Sequence, residues 1–194
     1  MRRALVVYAS RHGATGGIAE KIGDVLRSHD IDVVVADAAG MPDPDGFDAT
    51  VIGSGVYMGS WLKEGTEYLE RHASTLAKRP VWLFSSGPLP GSSKTPKDGT
   101  ADPIEDGLGP AEGPGSGGRR KVAELSARIQ PRDHRVFRGA FDPADPPRAM
   151  SERLVRMMPA AKTLLPTGDF REWDAIADWA HGIAAEVTGK LPVG

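Results

Sequence analysis

Apolar residues fall along the chain in two alternating rhythms. Short, β-branched runs at 4–9, 31–36, 49–52 and 81–84 have the length and composition of buried strands, and 135–141 reads as a last one. Between them the spacing changes to that of a helix. Ile18, Ala19, Ile22, Val25 and Leu26 form one stripe, and Leu62, Thr66, Leu69, Ala73 and Leu76 form a second. Val122, Leu125 and Ile129 form a third, and Trp173, Ile176, Ala177, Ala180, Ile183, Ala184 and Val187 form a closing one. Asp169 and Glu172 have capping-box spacing before that last helix, and Gly189 ends it. The breaker-rich run Met41–Gly46 leaves no room for a full helix before Phe47, so the second crossover is short. Strands alternating with helices predict an α/β protein built on a parallel sheet.

Three of these strands run into small or hydroxylated residues. The first gives way to Ser10-Arg11-His12-Gly13-Ala14-Thr15, the third to residues 53–61, and the fourth to Ser85-Ser86-Gly87-Pro88-Leu89. In an open parallel sheet, ligands bind at the carboxyl ends of the strands. The first turn also opens a helix, whose first N–H groups lack intrahelical partners and sit at the positive end of the helix dipole. Ser10 and Thr15 add hydroxyl donors, and Gly13 allows close backbone approach. This is a site for an anion.

Composition narrows the ligand. The chain of 194 residues has a net charge of -2, so nothing favours nucleic acid, and one domain over 1–190 is expected. With no Cys, redox chemistry requires a borrowed cofactor. No run reaches membrane-spanning length, which makes a cytoplasmic protein the expectation. Two segments depart from the average. Residues 87–118 are Gly/Pro-rich and acidic, an insertion loop that reads equally as a lid or as disorder. Residues 148–165 are basic, with Met150, Leu154, Met157, Met158, Leu164 and Leu165 at helical spacing around Pro159. An amphipathic helix packed on the domain and one lying on an anionic membrane surface both fit, the latter at the inner face of the membrane.

The first turn lacks the Gly-Lys-Ser/Thr of a Walker loop and the Gly-x-Gly-x-x-Gly of a dinucleotide site, leaving a single terminal phosphate as the best fit. The histidines His12, His29, His72, His134 and His181 form no pair at metal-ligand spacing, so no metal is expected. Ser54 lacks a nucleophile elbow, and no acidic pair follows the first strand as a receiver domain would require.

Ser10-x-x-Gly13-x-Thr15 resembles the phosphate loop of the flavodoxin-like family, with His12 standing where a hydroxyl residue is usual. The stretches 51–59, 68–73 and 153–173 look like the menaquinone-dependent protoporphyrinogen dehydrogenase branch of that family. The resemblance implies a three-layer sandwich with a five-stranded parallel sheet of order 2-1-3-4-5, a long loop after the fourth strand and an extra helix before the last. It implies FMN, with the phosphate on Ser10, Arg11, His12, Gly13, Ala14 and Thr15. The isoalloxazine ring would lie between Ser54, Gly55, Val56, Tyr57, Gly59 and Trp61 on one side and Ser86 and Gly87 on the other. Tyr57 and Trp61 are the candidates for stacking on the ring, with core packing as the competing account. Trp82, Trp173 and Trp179 read as packing residues. The expected activity is electron transfer from a bulky substrate, of the porphyrinogen kind, to a quinone or a redox protein. A plain electron carrier and an interaction module that has lost FMN are the alternatives; no catalytic side chain is assigned.

Overall fold

The computed structural model describes residues 1–57, 59–87, 116–141 and 168–189. The sequence-based expectations for the loop within 87–118 and the helix at 148–165 fall almost wholly outside these residues. Strand β1 (Arg3–Ala9) lies inside the sheet, paired in parallel with β2 (Asp32–Asp37) on one side and β3 (Ala49–Tyr57) on the other. Parallel β5 (Val81–Ser86) and β6 (Asp133–Phe137) extend it, so the order is β2-β1-β3-β5-β6. A two-residue strand β4 (Ser60–Trp61) folds back on the end of β3. Counted through the parallel strands alone, this is the 2-1-3-4-5 order that the resemblance implies.

Period-two alternation divides the apolar residues between two cores. Ala4, Val6, Ala49, Val51, Trp82 and Phe84 point to the layer of α1 (Ala14–Ser28) and α4 (Trp173–Thr188). Leu5, Val7, Ile52, Val81 and Leu83 point to the layer of α2 (Lys63–Leu76) and α3 (Ser116–Ile129). The result is a three-layer sandwich. The four helical stripes in the sequence are the faces that these helices bury, except that Trp173 at the start of α4 is exposed, and Gly189 ends α4 in the left-handed conformation.

Several elements differ from the sequence reading. The valines of β2 suggest burial on both faces, yet β2 is an edge strand whose Val34 is exposed. Only a 3₁₀ turn (Ala38–Gly40) follows it, so α1 covers one face and no helix among the described residues covers the other. The third strand does not stop at Ile52 but continues to Tyr57, because small residues interrupt the apolar pattern without interrupting the pairing. The last strand stops at Phe137, and Ala140–Phe141 (β7) forms a separate antiparallel ribbon with Gly168–Asp169 (β8). No capping box forms: Asp169 lies in β8, and the N-cap residue Glu172 makes no side-chain cap bond. Helix α3 begins at Ser116, before the apolar stripe that marks it in sequence.

Gly53 shows why small residues belong inside β3. It pairs with Phe84 across the sheet, and a Cβ at residue 53 would land on the Phe84 ring. Gly53→Ala should therefore destabilise the fold by about 1–3 kcal/mol, the usual cost of overpacking. The urea midpoint reports this loss, and Phe84→Leu in the same chain should recover part of it through coupling between touching residues.

Candidate functional site at the carboxyl ends of the strands

The chain leaves β1 at Ala9 and enters α1 at Ala14, so four residues must reverse its direction. Gly13 does this with φ +84, a conformation that glycine adopts at little cost. The Ser10 hydroxyl oxygen accepts the Gly13 N–H at 3.0 Å, which fixes the turn and leaves the hydroxyl proton to donate. The Gly13 carbonyl accepts the first helical bond from Gly17 N–H at 2.9 Å. By helix geometry the amides of Ala14, Thr15 and Gly16 have no intrahelical acceptor. No acidic residue occupies the first turn of α1 to compete for them. Arg11 and His12, both half-buried, complete a turn suited to a phosphate monoester.

Thr15 is buried, and its Oγ1 lies 3.2 Å from where a Cβ of Gly55 would stand. The glycine is thus the gap that lets the phosphate turn pack on the end of β3. Beyond Gly55 the strand loses its β5 partner and folds back through the β3–β4 hairpin, where Tyr57 opposes Ser60 and Val56 opposes Trp61. Gly59, with φ +76, makes that reversal possible. At the hairpin the Arg11 guanidinium lies over the Tyr57 ring, 4.5 Å from its centroid, joining the phosphate turn to the aromatic side chain. On the other flank Gly87 turns with φ +129, and its missing Cβ would lie 3.6 Å from the Val56 carbonyl oxygen. Its N–H bonds the Phe137 carbonyl at 3.0 Å. Residues of all three sequence-predicted turns therefore meet at one end of the sheet.

Not every candidate faces that space. Ser54 is fully buried, with its hydroxyl donating to the Gly55 carbonyl (2.9 Å) and accepting the Leu62 N–H (3.0 Å), so it pins the hairpin's return. Trp61 is also in the core, its indole N–H donated to Ser85 Oγ at 2.8 Å. Ser86 is buried between Gly55 and Phe137. Tyr57 remains half-exposed and is the aromatic side chain placed at the turns.

Beneath the turns runs a buried polar chain that sequence reasoning missed. Ser85 Oγ lies 2.9 Å from Nε2 of His134 in addition to its bond from Trp61. Trp61 can only donate, so the serine oxygen accepts from it, and the direction of the Ser85–His134 bond follows the imidazole tautomer. Nδ1 has no hydrogen-bond partner among the described residues. Burial pushes the His134 pKa down to about 4, against the pull of the neighbouring Asp133 carboxylate. Asp133 itself is held below its ordinary value: burial opposes this, but Arg135 and Trp179 donate to it. Nothing local in the sequence marks this chain, because its members lie on three different strands.

The sign of the pH effect follows. The folded protein protonates His134 only near pH 4, whereas the unfolded chain does so near 6.5. Between these values the unfolded state holds more protons, so stability is complete above pH 6.5 and declines toward pH 4, with a slope approaching about 1.4 kcal/mol per pH unit. Urea midpoints between pH 7 and 4.5 should show this decline, and His134→Gln should flatten it. His72, also pushed down by burial, contributes with the same sign and leaves a residual slope.

By sequence the chain matches the Flavodoxin domain family over residues 5–145, and no curated protein matches it significantly. Rubredoxin oxygen:oxidoreductase from the anaerobe Desulfovibrio gigas is similar in structure over 100% of this chain, with TM-score 0.56 and 12% identity. The chain spans only 38% of that longer protein. A short-chain flavodoxin associated with a PDU bacterial microcompartment has TM-score 0.55 and 14% identity, with 96% of this chain and 99% of that one covered. A cysteine-to-serine mutant of flavodoxin from Pseudomonas aeruginosa gives the same values. Identities this low speak for the fold alone, while the family match extends over well more than half of the sequence. The chain belongs to the Flavodoxin domain family, and FMN is the cofactor that this membership implies.

Proposed function

We propose that this protein is an FMN-dependent oxidoreductase that takes electrons from a bulky substrate, of the porphyrinogen kind, and passes them to a quinone or a redox protein. The observation that carries the reading is the meeting of three turns, one of them opening a helix with free first-turn amides, at the carboxyl ends of β1, β3 and β5. The amides of Ala14, Thr15 and Gly16 and the Ser10 hydroxyl fit a phosphate. The half-exposed Tyr57 would offer the ring a face, and the turns at Val56 and Gly87 would bring backbone groups to it. When bound, FMN supplies a ring that accepts and releases electrons.

The protein's part is to bind, orient and tune. The first turn of α1 would hold the phosphate without a lysine, through the N–H groups at the helix N-terminus. A tyrosine face excludes water from the ring and disfavours its electron-rich reduced form, whereas a nearby guanidinium such as that of Arg11 favours negative charge. This pairing of Tyr57 with a cation, together with a net charge of only -2, supports an enzyme over an acidic carrier that docks on basic partners. The β7–β8 ribbon lies at the same end of the sheet, since the Phe170 N–H bonds the Gly139 carbonyl (3.2 Å) just past β6. The basic composition of 148–165 would suit an anionic membrane surface where a quinone is met; no helix among the described residues is long and apolar enough to cross a membrane.

The purified protein should be yellow, or become so on addition of FMN, and a colourless protein that binds no FMN would sink the proposal. Thr15→Asp should abolish binding by placing a carboxylate against the phosphate turn; retained binding would show that the phosphate lies elsewhere. Anaerobic turnover of protoporphyrinogen with menaquinone tests the substrate assignment. An FMN-loaded protein that transfers electrons to redox proteins but oxidises no such substrate would be a carrier instead.

A further inference from the structure

Helix α1 begins in a way that its own sequence does not support. Its N-cap, Gly13, offers no side-chain bond, and residues 16 and 17 in the first turn are both glycine. Each glycine costs about 1 kcal/mol of helix propensity relative to alanine. Yet this is the turn whose amides would hold the phosphate. Gly16 has a packing reason, since a Cβ there would lie 3.2 Å from the Tyr8 ring. Gly17 has a different one: a Cβ there would collide with Nη1 of Arg171.

Arg171 arrives from the far end of the chain, in the segment between β8 and α4. Its guanidinium is held on two sides. Nε and Nη2 donate to the two carboxylate oxygens of Asp169 at 2.8 and 2.7 Å, and the Trp173 ring stacks beneath it with its centroid 4.3 Å from Cζ. This arrangement lowers the Asp169 pKa, chiefly through the Arg171 side-chain bond, and leaves the Arg171 side chain only 18% exposed. Nη1, the nitrogen that Asp169 does not take, lies on Gly17 and donates a long bond to the Ala14 carbonyl at 3.5 Å.

We propose that Arg171 is a positioning residue for the cofactor phosphate, clamping the glycine-weakened first turn of α1 so that its amides are aligned before FMN arrives. The inference rests on the family's FMN site and assigns Arg171 no contact with the reacting ring. The clamp holds the turn through the Ala14 carbonyl and leaves the amides open to the phosphate, and the Asp169–Arg171–Trp173 cluster keeps the guanidinium in place. Preorganised donors gain affinity because less ordering is required on binding. The clamp also ties the phosphate turn to the β7–β8 ribbon.

Riboflavin, which has the ring and no phosphate, separates this role from general damage. Dissociation constants for FMN and riboflavin, from quenching of flavin fluorescence, should split: Arg171→Ala weakens FMN about tenfold, the equivalent of about 1.4 kcal/mol, and leaves riboflavin nearly unchanged. Gly17→Ala should weaken FMN selectively too, although alanine strengthens a helix, because the new Cβ removes the seat of the guanidinium. The double variant should bind FMN no worse than Arg171→Ala alone. Equal loss for both flavins, no loss in either single variant, or additive losses in the double variant would overturn the proposal. If Arg171→Ala fails to fold by circular dichroism, the Gly17→Ala split decides. A wild-type protein that binds neither flavin would instead overturn the cofactor reading itself.

Discussion

A strand buried on both faces must pass its chain to a helix without leaving polar backbone stranded, and β1 does so within four residues at Gly13. The two sides of β1 face different cores, with Ala4 and Val6 against α1 and Leu5 and Val7 against α2. Neither core tolerates a long detour, so the reversal is tight and left-handed, and the Ser10 hydroxyl takes the Gly13 N–H. Everything at the site is referenced to that corner. The β3 register places Gly55 one residue beyond the end of β1, so that Thr15 fits against it, and the β5 register then places Ser86 beside Gly55.

The hydroxyl groups around this corner divide into two kinds of work. Ser10 stays partly open and keeps a proton to donate, whereas the Ser54 and Ser85 hydroxyls are spent within the protein. Ser54 ties Leu62 to β3, and Ser85 joins Trp61 to His134. Such internal bonds fix the hairpin and the turn after β5 relative to one another. Buried hydrogen bonds of this kind confer rigidity on the segments they join. Nδ1 of His134 has no hydrogen-bond partner among the described residues, and burial, which disfavours the charged ring, makes its titration a matter of stability.

Much of the architecture was legible in the residues themselves. The valine-rich strands, the four helical stripes and the breakers at 41–46 all report local preferences, and each corresponds to an element of the fold. The tight turn over residues 10–15 was legible for the same reason, being six consecutive residues. Where the reading failed, small residues were the cause. Gly53, Ser54 and Gly55 look like a turn by composition, yet they continue a central strand because Phe84, Leu62 and Thr15 occupy the space that larger side chains would fill. Asp169 and Glu172 have the spacing of a cap, but the carboxylate of Asp169 is drawn off by Arg171.

The sequence by itself determined the alternation of strands and helices and most of the faces they bury, and it set the expectation of an anion site after the first strand. These depend on side-chain periodicity and on groups a few residues apart. Tertiary structure alone decided which polar groups at the site remain available. It buried Trp61 beside Ser85, brought Arg11 over Tyr57, and seated Arg171 on Gly17 against the carbonyl of Ala14, 157 residues away in sequence. Strand register and ribbon pairing set those distances, and no local pattern encodes a contact whose two halves are placed by different parts of the fold.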